Sequence, residues 1–538
     1  MSTEKIPISY MEEQPPKNLK MLSKQDAAAN EAQRVDTTLT AKQAFKYYYK
    51  AVAWSVAMSM STIMESYGLL LMNSFFAFPQ FQQKYGVQLP NGSYSVPAKW
   101  QLALTITSNI GLIIGVFANG YCADRWGLRK VMLVSHVFFA GFVFINFFAE
   151  NVETLVAGTL LVSIPCGFFA AATPSYAAEV SPLRLNGYLT VYVNLCWVMG
   201  KMISFGVLTS MLRNPTEWSY RIPFAIQWGW PPFMIVATYL APESPWWLIR
   251  NGRVEEAEKS LGRLCSAPID VIDPKNTIAM MARTIETERD MNIQGSYLDC
   301  FRGENLRRTE IAMISWGCQI LPGFAIQNYI TYFFTLAGLS SGDSFKLSLG
   351  NAGLAFVGTV SSWFMMTRFG WRTLYMGGLC AMLPIMSLVA FLDFATQDKD
   401  NIRWAQSALL LVWFFCYDFM RSQLTIWTAG ISIGPIPYGI AANVGASNLR
   451  VKTISLARNT YYFLSIINVI VAPYLLNPQE ANLKGKAAFP AAGLTIILLV
   501  WTFFRLPEVK GLTAETLDHL FENKVSARKF KNAAKNYQ

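Results

Sequence analysis

Apolar runs about as long as a bilayer is thick, separated by short polar loops, constrain this chain more than any other feature. A helix needs about 20 apolar residues to cross the hydrocarbon core. Twelve such runs can be read, beginning near Val52, Trp100, Val131, Leu155, Tyr188, Ile222, Glu310, Phe345, Thr373, Trp404, Thr453 and Ala488. They would take up roughly 240 residues, close to half of the 538. Composition agrees, since 53% of the residues are hydrophobic and only 15% charged, against about 25% charged in an ordinary soluble chain. In lipid a helix satisfies its own backbone donors and acceptors, so the expectation is an all-α membrane protein and a water-soluble enzyme is the wrong reading.

The net charge of +11 comes from basic residues scattered through loops and tails, with no patch of interleaved aromatics, so nucleic acid is not expected as a partner. Most of the 45 Lys and Arg fall on the side of the membrane that carries the N-terminus. The positive-inside rule then predicts both termini in the cytoplasm. The sequon Asn91-Gly92-Ser93 falls in a loop that this topology places outside. The N-terminus lacks the apolar core of a cleaved signal peptide, so the first span is expected to direct insertion. Eight cysteines show no disulfide framework, and His136 and His519, the two histidines, lie far apart with no CxxC. No metal site is expected.

A polar stretch, residues 243–309, divides the spans six and six. The expected organisation is a cytoplasmic tail (1–50), a six-helix bundle (51–242), a cytoplasmic linker (243–309), a second six-helix bundle (310–506) and a second cytoplasmic tail (507–538). In the linker, Val254, Ala257, Leu261 and Leu264 recur at helical spacing among Glu255, Glu256, Glu258 and Lys259, which predicts an amphipathic helix. The halves repeat one another. Arg125-Trp126-Gly127-Leu128-Arg129 returns 243 residues later as Arg368-Phe369-Gly370-Trp371-Arg372, and Ala178-Glu179-Val180 returns after 264 as Ala442-Asn443-Val444. Pro242-Glu243 returns after 265 as Pro507-Glu508. Parallel six-helix repeats with a site at mid-membrane between them are one way secondary transporters are built. Gly111 and Gly115 in span 2 form a GxxxG pair suited to close helix packing.

The motifs Asp124-Arg125-Trp126-Gly127-Leu128-Arg129-Lys130, Tyr176-Ala177-Ala178-Glu179-Val180-Ser181-Pro182, Pro242-Glu243-Ser244-Pro245-Trp246-Trp247-Leu248 and Pro507-Glu508-Val509-Lys510-Gly511 sit at the span junctions. With them the chain resembles the sugar porters of the major facilitator superfamily. Thr62-Ile63-Met64-Glu65-Ser66-Tyr67, Pro223-Phe224-Ala225-Ile226-Gln227-Trp228, the double Trp after Pro245 and Val525-Ser526-Ala527-Arg528-Lys529-Phe530 make it similar to the fungal α-glucoside (maltose-type) permeases. The resemblance implies a twelve-helix, two-bundle transporter that moves an α-glucoside or hexose through the plasma membrane by alternating access. It would be multi-pass and monomeric, with the sugar and the lipid bilayer as partners and no cofactor beyond protons as a coupling ion. Alternatives are a non-transporting sugar sensor and a transporter of an acidic sugar.

The resemblance also assigns roles. Asp124, Arg125, Gly127, Arg129, Glu179, Glu243, Arg368, Arg372 and Arg450 would form a cytoplasmic gate, the charges pairing with the neighbouring bundle until rocking separates them. Asn194, Gln319, Tyr329, Tyr332 and Asn351 would contact sugar, because amides both donate to and accept from hydroxyls and aromatic faces suit the ring. Charges inside spans cost about 2.5–3.5 kcal/mol on insertion scales and usually face a cavity or a partner. Glu65, Lys201 and Arg458 are therefore the proton-coupling candidates. The family pattern has an Asp where Gly68 stands, an acid where Leu112 stands and a Gln where Lys201 stands, which puts coupling in question. The expectation is that Lys201 pairs with Glu65 and holds it ionised. The 39 residues from Trp404 to Ala442, which include Asp418 and Arg421, exceed a span. Met420 to Ile431 looks like a 12-residue insertion, either a break in the tenth helix or a gene-model error.

Overall fold

The computed structural model describes residues 17–323, 341–392, 436–476 and 486–536, together with 394, 405, 408–409 and 412–413, with short breaks at 77, 89–91, 93, 213, 291–295, 369, 447–448 and 487. Tyr329, Tyr332, Asn91 and the stretch 420–431 lie outside the described residues, as does the side chain of Arg368.

Among the described residues, helices form where the apolar runs predict them. In the first half, span 1 is Tyr49–Ser59 followed by Ser61–Phe75, span 2 Ala98–Trp126, span 3 Leu128–Phe147, span 4 Val152–Val180 and span 5 Leu183–Met211. Span 6 is Trp218–Ile226, a tight turn Gln227–Gly229, then Pro231–Leu240. In the second half, span 7 begins as Gly303–Gly317, span 8 is Ser341–Arg368, span 9 Trp371–Leu392, span 11 Arg450–Leu476 and span 12 Ala488–Arg505, and Ile436–Val444 is the end of span 10. Seven of the described helices are continuous, long and apolar enough to cross a membrane. Spans 1 and 6 are each in two pieces. Pro231 and Pro232 have no N–H to donate and interrupt span 6, whereas the Met60 N–H is shared between the Val56 and Ala57 carbonyls where span 1 tightens.

Helices begin two to seven residues before most of the apolar runs, as at Leu183 against Tyr188 and Gly303 against Glu310. The apolar run marks the hydrocarbon core, and the backbone goes on coiling into the polar layer beyond it. The faces turned away from the bundles are apolar, with Val137, Phe138, Phe144 and Phe148 exposed on or just after span 3 and Ile496, Ile497 and Val500 on span 12. That inside-out pattern suits a lipid solvent.

Small residues set the helix contacts. A Cβ on Gly111, Gly115 or Gly167 would run into the carbonyls of Leu160, Ile164 or Leu112 on the facing helix, so spans 2 and 4 touch backbone to backbone. Gly200 does the same for spans 1 and 5, against Ser66 and the Ile63 carbonyl. Between the halves, span 2 lies along span 11 and span 5 along span 8.

On one face of the molecule the linker helices Val254–Leu264 and Pro274–Asp290 meet both tails. Ala257, Leu261 and Leu264 are buried as the spacing predicts, while Val254 is exposed. Arg283 donates to Asn30 and Gln33 of the N-terminal helix Lys17–Thr38 and to Glu515 of the C-terminal helix Ala514–Glu522. Both tails and the linker therefore share one side.

Candidate transport site

Glu65 and Arg458 meet at the centre of the bundle interface. An Arg458 guanidinium nitrogen lies 2.5 Å from Glu65 Oε1, with 3% and 0% of the two side chains exposed. Tyr462 donates to the same oxygen at 2.8 Å, and Arg458 donates to the hydroxyls of Tyr462 and Tyr438 at 3.1 and 3.2 Å. The guanidinium also lies 4.6 Å from the centre of the Trp316 ring and 5.4 Å from that of Tyr461. A buried charge needs this much compensation, and rings supply a negative face to a cation. The pair ties span 1 of one half to span 11 of the other.

This corrects the expected partner of Glu65, which is Arg458 and not Lys201. The Lys201 expectation weighed only cations within the first half, whereas the fold brings Arg458, on span 11 of the second half, within reach of span 1. Lys201, on span 5, is half-buried and has a partner of its own. The aromatic cage was missed altogether, although Tyr461 and Tyr462 stand one turn along the helix from Arg458, the spacing that aligns side chains on one face.

The amides named from sequence are buried. Asn194 on span 5 donates to Thr359 on span 8 at 3.4 Å, across the two halves. Asn351, two turns before Thr359 on span 8, is 2% exposed and its Oδ1 accepts no hydrogen bond among the described residues. Gln319 follows the first part of span 7 and is also buried. Gln227, in the turn that breaks span 6, was not named as a sugar contact. It is 3% exposed, its Oε1 accepts no hydrogen bond among the described residues, and a Cβ on Gly68 would make ordinary contact with that oxygen. Buried acceptors without donors are costly, and a ligand rich in hydroxyls would satisfy them.

The gate residues behave differently from the expectation. Glu243 accepts the backbone N–H of Arg129 at 3.2 Å and of Ser244 at 3.0 Å, while the Arg129 side chain donates to the Tyr239 carbonyl at 2.5 Å. Gly127, at φ +87°, leaves room for the Glu243 carboxylate where a Cβ would collide with it. Burial pushes the Glu243 carboxyl up to about 7, against the pull of the two amides. The second half copies this. Glu508 accepts the N–H groups of Trp371 and Arg372 at 2.9 and 3.2 Å, Arg372 donates to the Phe503 carbonyl at 2.7 Å, and Gly370 again makes room. Glu179 is held by Arg250 at 2.7 Å and Arg125 by Tyr121 on its own helix.

These contacts lie within one half. With Gly127 alone between spans 2 and 3, Arg129 is directed at the neighbouring end of span 6 in the same bundle. Of the charged gate residues, Asp124 and Arg450 cross between halves. Asp124 pairs with Lys452, a residue the sequence did not single out, and Arg450 stacks 5.8 Å from the centre of the Trp246 ring. Asn186 and Asn443 add a hydrogen bond across the halves at 3.4 Å.

Two helical bundles that share a buried ion pair and a polar seam, each pinned by its own copy of one loop motif, define a transporter of the major facilitator fold. Solved structures agree on that fold. The chain superposes on the major facilitator proton:xylose symporter XylE bound to 6-bromo-6-deoxy-D-glucose with a TM-score of 0.72 at 16% identity, covering 88% of this chain and 99% of that one. For the inward-open xylose transporter XylE from E. coli the TM-score is 0.58 at 17% identity, covering 87% and 99%. The family model described as "Sugar (and other) transporter" matches residues 54–521, and the chain belongs to that family. It is 35% identical over 508 residues to a general alpha-glucoside permease of Saccharomyces cerevisiae, covering 93% of this chain and 80% of the relative. It is 34% identical over 510 residues to a maltose permease of the same organism, covering 94% and 81%. It is a multi-pass membrane protein and a permease rather than an enzyme.

Proposed function

We propose that this protein carries an α-glucoside or a hexose across the plasma membrane by alternating access, as a monomer with both termini in the cytoplasm. The observation that carries the reading is the set of buried amides, in which Asn351 and Gln227 keep acceptors that no group fills among the described residues. The α-glucoside is favoured because the permeases named above carry that substrate class in their names. Each half is stiffened by its own carboxylate pin, Glu243 or Glu508, so the halves rock as rigid bodies. The contacts across the seam that rocking has to break include Asp124 with Lys452 and Asn186 with Asn443.

Proton coupling is weak or absent on this reading. Arg458 engages Glu65, and Gly68 and Leu112 stand where the family pattern has acids. The test is uptake of labelled maltose, sucrose, glucose and a uronic acid at two pH values, by cells without permeases of their own, with the pH of the medium recorded. Saturable uptake of a neutral sugar is expected, with little alkalinisation. Robust sugar-induced alkalinisation would remove the facilitator reading. Failure to take up any neutral sugar at the cell surface would remove the transport reading.

A further inference from the structure

The last stretch of the chain makes a basic surface at the end of span 12. From Lys524 to Lys535 the sequence carries five cations, Lys524, Arg528, Lys529, Lys531 and Lys535, and no carboxylate. Its apolar residues Ala527, Phe530 and Ala534 are buried against the second bundle, while all five cations are exposed. None of the five makes an ion pair among the described residues. Of the carboxylates just before them, Glu515 pairs with Arg283 and Asp518 with Arg308, while Glu522 lies 3.5 Å from His519.

The height of this surface relative to the bilayer can be read from Arg528. Its guanidinium lies 4.8 Å from the centres of both the Phe503 and Phe504 rings. These rings close the outward apolar face of span 12 and are 42% and 52% exposed. A cation resting on the last lipid-facing rings of a span stands at headgroup level. A cleft of about 570 Å³ opens alongside, lined by Arg307, Arg505, Lys524 and Ser526 with one carboxylate, Glu304.

We propose that this docked basic stretch is a binding surface for the phosphate-bearing headgroups of anionic phospholipids, seated beside span 12. The chemistry is that of juxtamembrane Lys and Arg clusters, which anionic leaflets attract. Here the stretch is held in place by Phe530 before lipid arrives, so ordering costs little. The inference is independent of the substrate and of transport activity.

The test is hydrogen–deuterium exchange of residues 524–535 in the full-length protein, in nanodiscs of phosphatidylcholine alone and of phosphatidylcholine with phosphatidylserine. Exchange should slow by about tenfold with the anionic lipid, and added salt should reverse the slowing. The triple change Arg528→Gln, Lys529→Gln and Lys531→Gln keeps the buried Ala527, Phe530 and Ala534. It should abolish the difference between nanodiscs while exchange in the spans stays the same. Equal exchange of the unmodified protein in both nanodiscs would overturn the proposal. So would equal slowing by inorganic phosphate added to phosphatidylcholine nanodiscs, which would assign the surface to a free anion, or a lipid effect that persists in the triple variant.

Discussion

The residue that matters most is one whose partner lies in the other half of the chain. Glu65 and Arg458 are fully buried, and removing one charge strands the other at a cost of about 3–5 kcal/mol. Glu65→Gln should therefore lower the thermal midpoint markedly and abolish uptake. Glu65→Gln combined with Arg458→Met should be milder than Glu65→Gln alone, since it leaves no orphaned cation. A double variant as unstable as the sum of the singles would show that the two residues act independently. Gly127 makes a second prediction at this scale. Its φ of +87° and the Glu243 carboxylate against it both exclude a side chain. Gly127→Ala should cost about 1–3 kcal/mol, and Gly370→Ala should mirror it through Glu508, both measurable as falls in midpoint. The repeated Arg-x-Gly-x-Arg pattern was legible in the sequence, but its use was not. A short loop motif does not state whether its charges face their own bundle or the next.

At the scale of elements, the spans were legible because each helix must satisfy its backbone in lipid by itself, so local apolarity suffices to place it. The GxxxG reading of Gly111 and Gly115 also holds, since both press on carbonyls of span 4. Gly115→Val should force spans 2 and 4 apart, costing about 1–3 kcal/mol, seen as a reduced yield of folded protein in detergent. Docking of the N-terminal helix should depend on pH. Asp36 sits where the helix Lys17–Thr38 meets the start of span 5, near Arg184, whose side chain donates to the Thr37 carbonyl. Burial raises the Asp36 carboxyl from its ordinary 3.8 to about 6, against a backbone N–H from Leu183 and the charge of Arg184, while Tyr48 and Cys265 pack nearby. A carboxyl raised in the docked state binds its proton more tightly there than when released. Docking is therefore weakest above pH 6 and strengthens as pH falls from about 6 toward 3.8. Limited proteolysis of the N-terminal helix should slow between pH 7 and pH 5, and Asp36→Asn should be slow at both. Faster cleavage on acidification would reverse the sign and refute this.

For the whole molecule the prediction concerns rocking. Asn186 and Asn443 touch across the halves, so Asn186→Cys with Asn443→Cys, in a background without other reactive cysteines, should cross-link on oxidation. Uptake should stop and return on reduction, and full uptake by the cross-linked protein would mean that this seam does not open during transport. By itself the sequence determined the twelve spans, the division into two repeated halves, the linker between them and the presence of costly charges inside the membrane. Each of these is a local property, set by apolarity along one stretch or by likeness of one stretch to another. Only the tertiary structure decided which charges meet. Glu65 and Arg458 are 393 residues apart, and their encounter, like that of Asp124 with Lys452, exists only because the two bundles pack span 2 against span 11 and bring Arg458 within reach of span 1. No local pattern encodes that packing, because the free energy that selects it comes from the whole interface between the halves.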